Sequence, residues 1–384
     1  MKNVIFLSSS NINAQNGAAK FARLLLSKPD TWEKSGFKLS SSTNSNTFTN
    51  DEEYRKTLKF HIKKSIRRFL GTTRIGKRIR FFNYYVGMLS KWPVDKIKDI
   101  IQADDIVILN DSNVAWNFYE KYGISHKSIF LMHNSGDFFS MAEDEMKDPQ
   151  IKKFLLNSEK VILRNATVIV FVSEVARVFF ISKHPEYKDK CKTIYIGMDP
   201  FMKPKEERND NIIKFVTVGT VCERKNQILA VEAFDSLKKY PISLSVVGGG
   251  DELKRCKQYV SEHQIENIVS FEGPTNDVES CLAQSDVFIM TSKDEGLPVA
   301  AQEAMAMGLP LILTDVGGCK ELVVNNGIVI NPNIDEVKKA IMYFVEHPEI
   351  IKEWGKNSKK VFNSKFSLER MTDEYINVAK ELCN

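Results

Sequence analysis

Cysteine is sparse and unpatterned in this 384-residue chain: six residues, at 191, 222, 256, 281, 319 and 383, with no CxxC pair. That spacing argues against a zinc site or a disulfide framework and points to free thiols in a reducing compartment, so a cytoplasmic location is expected. Long apolar runs are missing as well. No segment approaches the length that crosses a bilayer, and the opening MKNVIFLSSS is too short in apolar residues for a signal peptide and reads as a first strand. A GxGxxG fingerprint is absent after the strand at 4–7 and after the strand at 213–220, which counts against a nicotinamide oxidoreductase. Neither sign of charge dominates. The net charge of +5 is too mild by itself to argue for nucleic acid, and no nucleic-acid partner is expected.

What is present is ordinary for a globular protein: 43% hydrophobic and 27% charged residues, over a length that supports two cores. Short apolar runs alternate with helical periodicity. In the first half they fall at 4–7, 106–110, 128–134, 167–172 and 192–196; in the second at 213–220, 242–250, 267–273 and 287–292, then in the run ending at Leu313. This rhythm predicts an α/β fold of parallel sheets covered by helices on both faces. The polar, aperiodic stretch 201–211 reads as a linker. The expected division is residues 1–200, 211–365, and a terminal helix over 366–384. Residues 40–50, low in apolar content, read as a surface loop.

Residues 54–91 stand out. Leu58, Ile62, Ile66 and Phe69 share one helical stripe, and Ile75, Ile79, Phe82, Val86 and Leu89 a second. The opposite faces carry Lys59, Lys63, Lys64, Arg67, Arg68, Arg74, Lys77, Arg78 and Arg80. Two readings stand. A basic amphipathic hairpin can rest on an anionic membrane, each basic residue adding roughly 1 kcal/mol. Equally, the stripes can pack on their own domain and leave the charges solvated.

The stretch from Thr291 to Leu313, TSKDEGLPVAAQEAMAMGLPLIL, carries the densest chemistry. Glu295 sits in a loop, Pro298 fits a first helical position, Glu303 falls more than a turn inside the helix, and Gly308 with Pro310 stops it. The helix has little polar surface, so its carboxylate needs a partner. Two carboxylates suit a polyhydroxylated ligand, and the N–H groups of Gly296 and Leu297 suit its phosphate. Arg224 and Lys225, after the strand that opens the second half, can neutralise a diphosphate. Gly248, Gly249 and Gly250 allow either close backbone approach to a ligand or a tight turn. His133 ends a strand where open α/β sheets bind ligands, although a structural histidine fits there too. No DxD-like acidic pair suggests Mg²⁺, so a metal-independent reaction without a cofactor is expected.

Taken together, these residues resemble glycosyltransferase family 4. The match rests on Glu295-Gly296-Leu297-Pro298 through Glu303 (an E-x7-E pattern) and Ala304-Met305-Ala306-Met307-Gly308-Leu309-Pro310. Around it stand Val218-Gly219, Arg224-Lys225-Asn226, Val247-Gly248-Gly249-Gly250, Phe271-Glu272-Gly273 and Asp315-Val316-Gly317-Gly318. It is strong over residues 211–330 and loose before them, through Asn16-Gly17, His133 and Ile196-Gly197-Met198-Asp199. The resemblance implies two facing Rossmann-like domains (GT-B) and a retaining transferase taking a UDP- or GDP-linked sugar to a saccharide or lipid-linked saccharide, at the cytoplasmic membrane face if the hairpin binds lipid. It implies that Glu303 binds the ribose, Glu295 the donor sugar with the Gly296 and Leu297 amides, and Lys225 the leaving diphosphate. Pro298, Val299, Gly219 and Gly273 line the donor site, Gly17 faces the phosphates, and His133 lies near the sugar. The last helix would brace the first domain. One departure is Thr220, where many members have Arg; Arg224 is the residue available to supply that charge. Two alternatives share the architecture: a non-catalytic sugar-nucleotide-binding subunit and a nucleotide-sugar epimerase.

Overall fold

A computed structural model describes residues 1–8, 12, 17–43, 75–76, 78–79, 81, 101–122, 126–137, 147–206 and 211–384. The chain forms two compact units. One comprises Met1–Phe171, Phe179–Ile194 and Thr372–Asn384; the other comprises Val172–Val178 and Tyr195–Met371.

The first unit contains β1 (Lys2–Ser8), α1 (Gly17–Leu26), α2 (Pro29–Lys34), β2 (Phe37–Thr43), β3 (Ile106–Leu109), α3 (Ser112–Tyr122), β4 (Lys127–Met132), α4 (Pro149–Asn165), β5 (Val168–Phe171) and, after α5 (Glu174–Lys183), β6 (Cys191–Thr193). Its six strands are parallel in the order β2-β1-β3-β4-β5-β6. Every residue of β3 and β5 is buried, as a sheet covered on both faces requires. β1 has neighbours on either side, β2 and β3, so the strand order reverses there. Ligands of open α/β sheets bind at such a switch point, beyond the carboxyl ends of the strands.

The second unit runs β7 (Ile213–Val218), α6 (Gln227–Ser236), β8 (Ile242–Val247), α7 (Leu253–Glu262), β9 (Val269–Gly273), α8 (Val278–Ala283), β10 (Val287–Met290), α9 (Val299–Met307), β11 (Leu311–Thr314), β12 (Gly327–Ile330), α10 (Ile334–Glu346) and α11 (Ile350–Lys365). The closing helix α12 is Leu368–Cys383. The sheet order is β12-β11-β10-β7-β8-β9, all parallel. The chain steps outward from β7 to β9, returns to β10 on the other side of β7, and steps outward again. The switch point therefore lies between β7 and β10, where Phe215 pairs with Val287 and Val216 with Phe288. The core beneath is close-packed: Phe215, Phe234 and Phe344 are almost fully buried. Each such side chain contributes about 1.5–3 kcal/mol.

Several expectations are corrected. Residues 40–43 are not a loop; they continue β2, an edge strand in parallel register with β1 from Lys2↔Phe37 to Ser8↔Thr43. An edge strand tolerates Ser and Thr because its ladder bonds come from the backbone; residues 44–50 lie outside the described residues. The basic insertion at 54–91 lies outside them except at five positions, which are helical. There Ile75 and Ile79, on the second apolar stripe, are 69% and 48% exposed, against the reading in which that stripe packs on its own domain. The helix turns another face inward: Arg78 Nε is 2.6 Å from Asp148, the residue capping α4, and Phe81 meets Phe154 edge-on at 6.1 Å. Arg78 is thus paired rather than solvated. Positions 101–103, ahead of β3, are not helical. Asn16 and linker positions 207–210 also lie outside. Among the described residues, no helix is long and apolar enough to cross a membrane.

Candidate active site

The site of the second unit is built from the loops that leave β7 and β10. The β7 loop turns at Gly219 and returns through Arg224 and Lys225 to α6. Three contacts hold it. Gln227 Nε2 donates to the Thr220 carbonyl at 3.0 Å, the Thr291 hydroxyl donates to the Asn226 carbonyl at 2.8 Å, and the Lys293 N–H donates to the Arg224 carbonyl at 2.8 Å. Asn226 itself sits at φ 51°, a left-handed conformation that asparagine accepts better than most residues. So anchored, Lys225 Nζ lies 2.6 Å from Glu295 Oε1, with side-chain exposures of 14% and 7%. The contact is ionic rather than an aligned hydrogen bond, since Oε1 makes none among the described residues. Arg224 stands beside the same oxygen at 3.4 Å and donates to the Asp294 carbonyl at 2.6 Å. Two cations therefore converge on one buried carboxylate at the switch point.

The β10 loop is propped from behind. Gly318 N–H donates to the Gly296 carbonyl at 2.8 Å. Gly317 has φ 50°, and a Cβ there would stand 1.6 Å from the Glu295 carbonyl oxygen. Only glycine lets the two loops pass. Gly248 follows the same logic on the β8 side: its φ is 142°, a Cβ would lie 1.9 Å from the Gly219 carbonyl oxygen, and its N–H donates to the Gly273 carbonyl. Gly219 adjoins Lys225, Gly249 adjoins Pro274, and Gly250 adjoins the Val221 backbone. Backbone fit between neighbouring loops thus accounts for Gly248 and Gly250 without a ligand.

Pro298 is the residue before α9 rather than its first residue, with φ −74° and ψ 108°; Val299 begins the helix. The expected first-turn position fails because ψ there is extended. Gly308 ends the helix at φ 86°, as its position suggested. Glu303 lies within α9 and is 7% exposed; Leu297 is 5% exposed. Among the described residues, neither the Gly296 nor the Leu297 N–H has an acceptor. Behind the loop, burial and the Glu295 charge push the Cys319 thiol well above its ordinary range, so it stays protonated.

His133 and Gly17 belong to the other unit. Gly17 starts α1. His133 follows β4; its ring meets Phe21 edge-on at 5.0 Å, and its Nε2 is 2.9 Å from Asn110 Oδ1. Burial lowers the imidazole to about 4, so it is neutral at physiological pH. Several contributors were not legible beforehand: Asn110, Ser8, Thr291 and Gln227. Gln227 and Thr291 carried a faint signal, polar residues at positions where the strand–helix rhythm puts apolar ones. The described residues gather no group of three His, Cys, Asp or Glu able to hold a metal ion.

Two six-stranded parallel sheets covered by helices are the α/β, two-Rossmann-like architecture called GT-B. Comparison with known proteins agrees. Residues 198–361 match the family model for glycosyl transferases group 1. An uncharacterized glycosyltransferase of Methanocaldococcus jannaschii is 27% identical over 275 residues, covering 67% of this chain and 69% of that protein. The Escherichia coli O-antigen biosynthesis glycosyltransferase WbnH is 36% identical over 124 residues, 32% of this chain and 35% of that protein, so the shared stretch is about a third of the relative's length. Among solved structures, Anabaena HepE in complex with UDP-glucose superposes with a TM-score of 0.70 at 15% identity, covering 99% of this chain and 100% of that one. Sucrose-phosphate synthase from Thermosynechococcus elongatus gives 0.70 at 16%, covering 100% and 99%. The chain is, by class, a glycosyltransferase.

Proposed function

We propose that this chain is a retaining glycosyltransferase that moves a sugar from a UDP- or GDP-linked donor to a saccharide or lipid-linked saccharide in cell-surface polysaccharide synthesis. The observation that carries this reading is the convergence of Lys225 and Arg224 on Glu295 at the switch point of the second sheet. When the anomeric C–O bond to phosphate breaks, the nucleoside diphosphate leaves with added negative charge. Lys225 and Arg224 meet that charge, and the unengaged Gly296 and Leu297 amides add to it. The acceptor oxygen forms the new bond to the anomeric carbon, and its proton passes to the departing phosphate. Attack on the face the phosphate leaves from gives retention, so Glu295 orients the sugar rather than bonding to it, unlike a retaining glycosidase carboxylate. Glu303 takes the ribose hydroxyls. The resemblance to O-antigen and colanic acid enzymes favours a polysaccharide acceptor. Exposed Ile75 and Ile79 beside the basic stretch favour peripheral contact of a cytoplasmic enzyme with the membrane.

A thermal-shift screen against UDP-, GDP-, ADP- and CMP-sugars tests the donor. The right one at a hundredfold excess over its dissociation constant stabilises by about 3 kcal/mol. Glu303→Ala should abolish that shift while keeping the unliganded melting point. An unchanged shift would remove Glu303 from the donor site.

A further inference from the structure

We propose that a cavity of about 720 Å³ in the second unit binds the phosphate group of an ester whose other end is apolar. The cavity lies at the amino ends of β7, β8 and β10, where Ile213, Pro241 and Asp286 stand at or just before the strand starts. The loops that carry Lys225 and Glu295 leave the carboxyl ends of β7 and β10 instead. β7 has six residues, so its two ends are roughly 17 Å apart at the usual rise of a strand. The cavity is thus separate from the donor site. Its volume falls within the range of about 300–1,000 Å³ typical of small-molecule sites.

Two glycines shape one side of it. Gly355 of α11 is buried against the turn that ends α9; a Cβ there would stand 2.3 Å from the Gly308 carbonyl oxygen. Lys352, Lys356 and Lys359 surround Gly355 at one-turn spacing and all three line the cavity. Lys359 lays its stem across Gly308, where a Cβ would be 2.8 Å from its Cε. The acids of the cavity are already engaged. Asp286 accepts from the Lys214 N–H at 2.9 Å and lies 3.4 Å from Lys205, and Glu206 accepts from Gln284 at 3.1 Å. Lys352, Lys356 and Lys359 have no ion pair or hydrogen bond among the described residues. Uncompensated cations over a concave surface concentrate anions there. A phosphate monoester brings roughly two negative charges at neutral pH and three acceptor oxygens, where a carboxylate brings one charge and two oxygens. The rest of the wall is apolar: Ile212, 43% exposed, with Ile213, Met307, Val345 and Ile351. Inorganic phosphate leaves that surface wet, whereas an apolar ester covers it. Residues 207–210 lie outside the described residues and are not part of this site.

Calorimetry with n-octyl phosphate tests this, with inorganic phosphate and octanol as its two halves. The full-length protein should bind octyl phosphate at least about tenfold more tightly than either half, and added salt should narrow its lead over octanol. Lys352→Gln combined with Lys356→Gln, both exposed and clear of the Gly308 contact, should weaken octyl phosphate about tenfold and leave the melting point unchanged. Lys225→Met should leave the affinity as it is. Equal affinity in wild type and the double variant overturns the proposal. So does a loss confined to Lys225→Met, which would put the ester in the donor site. Inorganic phosphate binding as tightly as octyl phosphate overturns the apolar half. Phosphatidylcholine vesicles doped with phosphatidic acid then separate the sources of such an ester. Sedimentation that the double variant loses identifies a lipid headgroup; sedimentation that is absent or unaffected by the variant identifies a soluble ester. None of these readouts depends on which nucleotide sugar is turned over, so the donor reading can fail while this site stands.

Discussion

Removing the positive partner of Glu295 separates stability from catalysis. Lys225 Nζ and Glu295 Oε1 are 2.6 Å apart and both nearly buried. At an effective dielectric of about 20, two unit charges at that distance attract by about 6 kcal/mol before desolvation is counted. Desolvation takes back most of it, but deleting one member of a buried pair still costs about 3–5 kcal/mol, because the other charge is stranded. Here Arg224 remains 3.4 Å from the same oxygen, so Lys225→Met should cost nearer 2 kcal/mol. Glu295→Leu should cost less, since two partly hydrated cations tolerate its loss. The double variant should be more stable than the sum of the singles predicts, by a coupling of at least about 1.5 kcal/mol. Urea unfolding of the four proteins measures this. Sugar transfer should run the other way, with Lys225→Met and the double variant equally inactive, because stability is restored and the charge that meets the leaving group is not. A coupling under about 0.5 kcal/mol would mean that the pair does not form in solution, and the electrostatic account of the site would fall with it.

Three further outcomes are expected. Gly248→Ala must push a Cβ into the Gly219 carbonyl at positive φ, so it should lower the melting point by several degrees and weaken donor binding; an unaffected protein would mean that the two loops are not packed as described. Burial, reinforced by Asp137, raises the Glu159 carboxyl to about 7. A carboxyl raised in the folded state contributes stability that is full below about 4.5 and lost as pH rises through 7. Glu159→Gln should therefore melt above wild type at pH 8 and no higher at pH 5, and the reverse order would contradict the burial. Glu321 accepts from the Glu174 and Val175 N–H groups at the start of α5, at 3.0 and 2.7 Å, and from the Tyr195 hydroxyl at 2.6 Å. Glu321→Ala should cost about 1–2 kcal/mol in denaturant unfolding, and Tyr195→Phe less.

The sheets were legible because their strands are continuous apolar runs, as strands buried on both faces must be: IVIL, VIVF, VFIM and LILT. Elements at the margins were not. β2 spells FKLSSST and has a partner on one side only, so selection on its side chains is weak. β12, GIVI, is an edge strand of the second sheet, and its four residues are too short a run to stand out. At the site, the residue types were readable and their contacts were not. Lys225 and Glu295 are 70 positions apart and meet only because β10 returns to the side of β7. Asn110 and His133, 23 apart, meet because β3 and β4 pair in parallel with Leu109 beside Phe130, which leaves His133 just beyond the position beside Asn110. Asn226 and Pro298 show a finer limit: the local alphabet names a turn or a helix start, and the neighbouring loop decides the dihedral angles.

The last stretch of chain, Thr372–Asn384, completes the unit that Met1 begins, with Tyr375 against Phe21 and Lys127 bonded to the Leu382 carbonyl. During translation, the first lobe must wait with a bare aromatic flank until Tyr375 and its helix have been made. The intervening lobe, contiguous in sequence over most of its length, can fold in the meantime. Removing Tyr375–Leu382 would thus wound strands laid down more than two hundred residues earlier rather than the lobe just before it.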